Sequence, residues 1–182
     1  NIIARTSTSV QDDPDDDTDQ VNGAGLWHSN FYGFGIVNAD RAVRMAMSDT
    51  YDLVDPESMI LVESETNIDL PINDKGSEAT TTQLVVEDQF SGFVVESVAV
   101  LLNLEHFSRG DLEVTLTSPS GTKSILHPGR RPETEQSERW KLTSVRNWGE
   151  DPTGQWNLEV TDLQSGDVAD CVDAPFFAPL PS

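Results

Sequence analysis

Residues 98–104 read Val98-Ala99-Val100-Leu101-Leu102-Asn103-Leu104, and their alternation decides the fold. Val98, Val100, Leu102 and Leu104 share one face, while Ser97, Ala99, Leu101 and Asn103 share the other. An extended chain imposes this period of two, because successive side chains of a strand point to opposite sides. The period returns where Leu112, Val114 and Leu116 alternate with Glu113, Thr115 and Thr117. It returns again where Trp156, Leu158 and Val160 alternate with Asn157, Glu159 and Thr161. Each stretch predicts a half-buried strand. Weaker strands are expected at Met59–Val62, Gln83–Val86, Ser124–Leu126 and Trp140–Val145. Turn chemistry separates them at Ser118-Pro119-Ser120-Gly121 and Asp151-Pro152-Thr153-Gly154. Many short strands without intervening helices predict a mainly β fold, an antiparallel β-sandwich of the jelly-roll kind.

Upstream of this region the period is helical. Asn38 is a favourable N-cap, and Ala39, Ala42, Val43, Ala46 and Met47 then recur on one face. Asp40 stands in the first turn, where the helix dipole favours an acid. Ile2, Ile3 and Thr6 recur at helical spacing as well, as the end of a helix. Between them, Gly23, Gly25, Gly33 and Gly35 flank Trp27, Phe31, Tyr32 and Phe34, which implies tight turns under an aromatic cluster. These changes divide the chain into residues 1–50, a linker at 51–55 and a β domain at 56–182.

Charge excludes several function classes. The 182 residues carry 32 Asp and Glu against 11 Lys and Arg, a formal net charge of -21. Such a chain repels nucleic acid phosphates and anionic membrane surfaces and suits cations or a basic peptide. No apolar run approaches the roughly 20 residues that span a bilayer. A lone Cys171 excludes an internal disulfide and a cysteine-built zinc site; a buried thiol and a disulfide to a cysteine elsewhere both stay open. The chain opens Asn1-Ile2-Ile3 without Met or signal peptide and reads as a processed product or an excised segment.

Two stretches carry a family resemblance. Arg109-Gly110-Asp111-Leu112 followed by Ser118-Pro119-Ser120-Gly121-Thr122 resembles the P domain, or Homo B domain, of kexin- and furin-like proprotein convertases. So does Trp140, followed by the run Val145-Arg146-Asn147-Trp148-Gly149-Glu150-Asp151-Pro152-Thr153-Gly154-Gln155-Trp156. Residues 1–50 resemble the C-terminal tail of the subtilisin-like catalytic domain that precedes such a P domain. The matching residues are Asn1-Ile2-Ile3-Ala4-Arg5-Thr6, Val21-Asn22-Gly23-Ala24-Gly25, His28-Ser29 and Tyr32-Gly33-Phe34-Gly35-Ile36-Val37-Asn38-Ala39.

The resemblance implies the C-terminal part of a serine endopeptidase that cleaves protein or peptide substrates after basic residues, in the secretory pathway or outside the cell. It places the catalytic serine, histidine and aspartate upstream of Asn1. The present chain would dock on that catalytic domain and stabilise it without being catalytic. The resemblance also implies calcium in the parent protein. One departure is the C-terminus, where Gly166-Asp167-Val168-Ala169-Asp170-Cys171 replaces the family's usual closing strand. The competing class is a calcium-assisted or carbohydrate- or protein-binding jelly roll with no protease attached; a structural acidic protein is a third.

Within the chain, candidate chemistry is sparse. Asp13, Asp15, Asp17 and Asp19 fall at every second position of an acidic run, and clustered oxygens suit a hard cation such as calcium. The run is not an EF-hand, because the positions that require Gly and Glu, counted from Asp13, hold Thr18 and Ala24. A solvated loop is the competing reading. The histidines are His28, His106 and His127. Ser29 adjoins His28, but sequence neighbours seldom point at each other as a nucleophile and base must; His28 reads as a packing residue. Arg109-Gly110-Asp111 invites an adhesion reading and, more simply, opens the next strand. Arg130-Arg131 has the form of a dibasic cleavage site or of plain solvated charge. Trp140, Trp148 and Trp156 recur at intervals of eight, as core side chains or as a sugar platform.

Overall fold

A computed structural model describes residues 1–10, 19–48, 58–64, 68–73, 79–104, 106, 108–129, 139–164 and 175–176. Two short helices open it. Helix α1 spans Ile2–Thr6 and α2 spans Ala39–Ala46. The Asn38 side chain caps α2, its Oδ1 accepting from the Arg41 amide at 3.0 Å, and satisfies one of the free donors of the first turn. Arg44 and Asp40, one turn apart, pair at 2.9 Å. Between the helices, strands β1 (Gln20–Val21) and β2 (Trp27–His28) form a small hairpin around the turn at 22–26.

The β region follows. Strand β3 is Ile68–Asp69, β4 is Thr80–Val86, β5 is Val98–Leu102 and β6 is Leu112–Thr117. Strand β7 is Lys123–Pro128, β8 is Trp140–Ser144, β9 is Gly154–Asp162 and β10 is Pro175–Phe176. A four-stranded antiparallel sheet has the order β4-β9-β6-β7, with Leu84 opposite Trp156, Val114 opposite Val160 and Leu116 opposite Leu158. A second sheet pairs β5 with β8, setting Val100 opposite Leu142 and Leu102 opposite Trp140. Val100, Leu102 and Leu104 pack into one buried cluster with Leu112, Val114, Leu116, Trp156, Leu158 and Val160. The expected inward faces thus meet as the two inner layers of a sandwich.

Differences from the sequence expectations have local causes. Residues 59–62 are not a strand; Met59, Ile60 and Leu61 are exposed. Their composition suits a strand, but a strand needs a partner edge, and 58–64 pairs with none among the described residues. Strand β7 runs beyond the expected Ser124–Leu126. Val114 faces His127 while Thr115 faces Ile125, so Leu126 is an extra residue and forms a bulge. The bulge shifts the alternation by one and turns His127 inward. The altered C-terminal region still contributes β10, which pairs antiparallel with β3.

Helix α2 shows the face expected of it without burying that face. Ala42 is buried, but Val43 is 55% exposed and Met47 is 79% exposed.

Candidate functional site

The strongest constellation of polar side chains is a buried seam between residues 20–30 and the sandwich. It starts at Asn22, whose short amide side chain folds the 22–26 turn. Its Oδ1 accepts from the amides of Ala24 at 3.0 Å and Leu26 at 2.9 Å. Its Nδ2 meanwhile donates to the carbonyls of Arg146 at 2.8 Å and Trp148 at 2.9 Å. One side chain therefore both shapes the turn and fastens it to the loop between β8 and β9. Asn22 is buried, as an amide with all its hydrogen bonds made can be.

The next residue brings the turn onto Glu150. The Gly23 amide donates to Glu150 Oε1 at 2.7 Å and lies 3.1 Å from Thr122 Oγ1. Thr122 also donates its hydroxyl to Glu150 Oε1 in a short bond, and Asn147 Nδ2 donates to Glu150 Oε2 at 3.1 Å. Ser124 Oγ donates to Asn147 Oδ1 at 3.2 Å, and Ser144 Oγ donates to Ser124 Oγ at 3.1 Å. Glu150 is 2% exposed. A carboxylate that far from water is tolerated only where donors replace its hydration. Gly23 has to be glycine for a related reason: a Cβ there would lie 2.3 Å from Ser120 Oγ.

Flanking contacts close the seam. Arg146, also buried, donates from Nη2 to Asn30 Oδ1 at 2.7 Å. The Lys123 amide donates to Gln20 Oε1 at 3.2 Å. Phe34 stands edge-on to both His28 and Trp148. Around this seam, residues 1–48 expose Ile3, Phe31, Ile36, Val37, Val43 and Met47.

A second cluster lies at the other end of β6. His106 Nε2 is 3.5 Å from Asp162 Oδ2, both side chains nearly buried, and His106 Nδ1 is 2.9 Å from the Ser108 carbonyl. His127 donates from Nδ1 to the Leu112 carbonyl at 2.7 Å and stands edge-on to Trp140. The Arg109 guanidinium lies 5.6 Å from the Trp140 ring centre. Gly110 is buried, and the Asp111 carbonyl accepts from the Leu163 amide at 3.0 Å. The Arg109–Asp111 tripeptide is thus built into the sandwich rather than displayed as an adhesive loop.

Of the sequence-predicted metal residues, Asp13, Asp15 and Asp17 lie outside the described residues, as do Cys171, Arg130 and Arg131. Asp19 is exposed and accepts from the Trp27 indole at 3.3 Å. Among the described residues no group of three or more His, Cys, Asp or Glu side chains could hold a metal ion. Trp156 and Trp140 pack on the core, and the Trp156 indole donates to the Pro152 carbonyl at 2.9 Å. Asp151, beside the seam, is exposed, and its carboxyl is held below the ordinary aspartate value by the Thr153 hydroxyl and then by the Thr153 amide. Sequence reasoning did not single out Asn22, Thr122, Asn147 and Glu150. The available signal was that all four lie in the stretches that carry the family resemblance, at turns where alternation stops.

Residues 95–172 match the family model of the proprotein convertase P-domain. The chain is similar to human proprotein convertase subtilisin/kexin type 6, at 37% identity over 80% of this chain and 15% of that protein. It is also similar to the Caenorhabditis elegans endoprotease bli-4, at 32% identity over 81% of this chain and 16% of that protein. The chain therefore spans about a sixth of the length of these relatives. Among solved structures it is similar to the serine protease of Aeromonas sobria in complex with a chaperone. There the TM-score is 0.73 at 25% identity, over 91% of this chain and 32% of that one.

Proposed function

Residues 95–172 belong to the proprotein convertase P-domain family, a non-catalytic C-terminal part of subtilisin/kexin-like endoproteases, and from this premise we propose that the chain holds the upstream catalytic domain of its own protein. In this reading residues 1–50 are the tail of that catalytic domain, 51–55 the linker and 56–182 the P domain. The observation that carries it is the combination of a sealed face and an open one. Residues 20–30 are fastened to the sandwich by buried hydrogen bonds. The apolar side chains of the stretch that follows, Phe31 at 67%, Ile36 at 65% and Met47 at 79%, are exposed. Half of the large apolar side chains exposed among the described residues lie within residues 1–48, and such a density marks a surface meant to be covered. In this reading the covering partner is an upstream part like that of the relatives, of whose length the chain spans about a sixth.

The whole protein would be a serine endopeptidase acting on protein or peptide substrates after basic residues. It would work in the secretory pathway or outside the cell, with calcium as the cofactor of the parent. Among the described residues no helix is long and apolar enough to cross a membrane.

The test substitutes Phe31, Val43 and Met47 together by Asp, in this chain and in the protein carrying its upstream part. The isolated chain should keep its melting temperature, since these side chains are exposed. The longer protein should lose thermal stability and peptidase activity on substrates with basic residues before the scissile bond. A longer protein that keeps both would overturn the docking reading.

A further inference from the structure

We propose that Glu150 is a positioning residue: its carboxylate, acting beside the Asn22 amide, holds the 22–26 turn on the P domain, so that loss of its acceptors loosens that turn while the sandwich stays folded. The proposal rests on the docking reading for its purpose, though not for its test.

Three features of the geometry lead to it. Glu150 gathers donors from three separate segments: Gly23 in the turn, Thr122 before β7 and Asn147 in the loop before β9. All of them donate, so the site is matched to an acceptor with two oxygens and to no other side chain of that size. The backbone of Glu150 is tied independently of its carboxylate. Its carbonyl accepts from the Val95 amide at 2.9 Å, and its amide donates to the Asn147 carbonyl at 3.1 Å. Removing the carboxylate therefore leaves the loop anchored to the sandwich and leaves the turn held by the Asn22 side chain without the Gly23–Glu150 bond. The hydrophobic core lies elsewhere, in β4, β5, β6, β8 and β9. The turn and the core can accordingly open at different free energies, as locally cooperative units do.

Such a device acts in both directions. A P domain that grips the turn through this carboxylate and the Arg146 and Trp148 carbonyls fixes the tail of the domain docked on it. A local opening at Glu150 would loosen that tail without unfolding either part.

Amide hydrogen exchange on the full 182-residue chain tests this, with Glu150→Ala, Glu150→Gln and Thr122→Val. Thr122→Val keeps shape and removes the hydroxyl that donates to the carboxylate and lies against the Gly23 amide. Exchange at Gly23, Ala24 and Leu26 should accelerate about tenfold or more in Glu150→Ala and by less in the two conservative variants. Exchange at Val114, Leu158 and Val160 should stay within about twofold of the parent chain. If Glu150→Ala does not fold, the two conservative variants decide the matter by the same criterion. Turn amides that do not respond overturn the proposal. So does equal acceleration in turn and core, which would make Glu150 a general structural residue. No upstream domain is needed, so the positioning role and the docking reading fail separately.

Discussion

Gly23 and Glu150 are joined by a 2.7 Å hydrogen bond across a sequence separation of 127 residues. The bond is short, one partner is a buried carboxylate, and the donor is a backbone amide in a turn that Asn22 has already shaped. With the Asn22, Asn30 and Gln20 contacts, this pair joins the hairpin near the N-terminus to the sandwich.

Gly23→Ala should therefore weaken that junction. A Cβ at this position would lie 2.4 Å from Ser120 Cβ as well as 2.3 Å from its Oγ, so the turn has to move away from Thr122 and Glu150. Overpacking of this kind costs about 1–3 kcal/mol. Ser120→Gly in the same chain removes both clashing atoms and should recover most of the loss. Urea denaturation of the single and double variants measures it; a double variant no better than Gly23→Ala would show that the clash is not the cause.

The alternation along β9 predicts opposite outcomes at neighbouring positions. Trp156 is 6% exposed inside the core, and its indole donates to the Pro152 carbonyl. Trp156→Ala should cost about 3–5 kcal/mol through lost burial and a residual cavity. Glu159 sits on the other face, opposite Thr81 and Thr115, and Glu159→Ala should stay within about 0.5 kcal/mol. Denaturant midpoints of the two variants separate the faces, and comparable losses would contradict the register.

Asp151 carries a pH signature. Its carboxyl is held below the ordinary value by the Thr153 hydroxyl first and the Thr153 amide second. A depressed folded-state value means that the contribution to stability is present above the unfolded pKa and fades as pH falls through the folded one. Thr153→Val removes the hydroxyl and should move the Asp151 titration upward, read from the carboxyl carbon shift by NMR. An unchanged titration would assign the effect to another group. Because Asp151 is exposed, the acid-induced loss of global stability should barely differ between the two proteins.

A net charge of -21 predicts a salt response. Self-repulsion is screened as the Debye length shrinks, so moderate sodium chloride should raise the melting temperature. At matched ionic strength calcium should add a shallow increase that does not saturate, because the sequence counted from Asp13 has Thr18 and Ala24 where an EF-hand loop requires Gly and Glu. Calorimetry across a calcium series checks this. A saturable transition in the micromolar range would establish a specific site that the acidic run can supply.

The amino-acid sequence by itself determined the strands and their faces. Val100, Leu102, Val114, Leu116, Leu158 and Val160 are inward because period two leaves an extended chain no other way to bury its apolar residues. Asn38 was legible as a cap for the same local reason. Tertiary structure alone decided what nonlocal pairing controls. The bulge at Leu126 depends on the register of β7 against β6, and it turns His127 inward although alternation from Ser124 would send it outward. The 59–62 segment has the composition of a strand, yet composition cannot supply the partner edge that makes one. The seam was the least legible part. Asn22, Thr122, Asn147 and Glu150 look like loop residues in sequence, since polar side chains in turns are ordinarily solvated. They become a site only because the fold removes them from water together, where each donor and acceptor must find its partner on a distant segment.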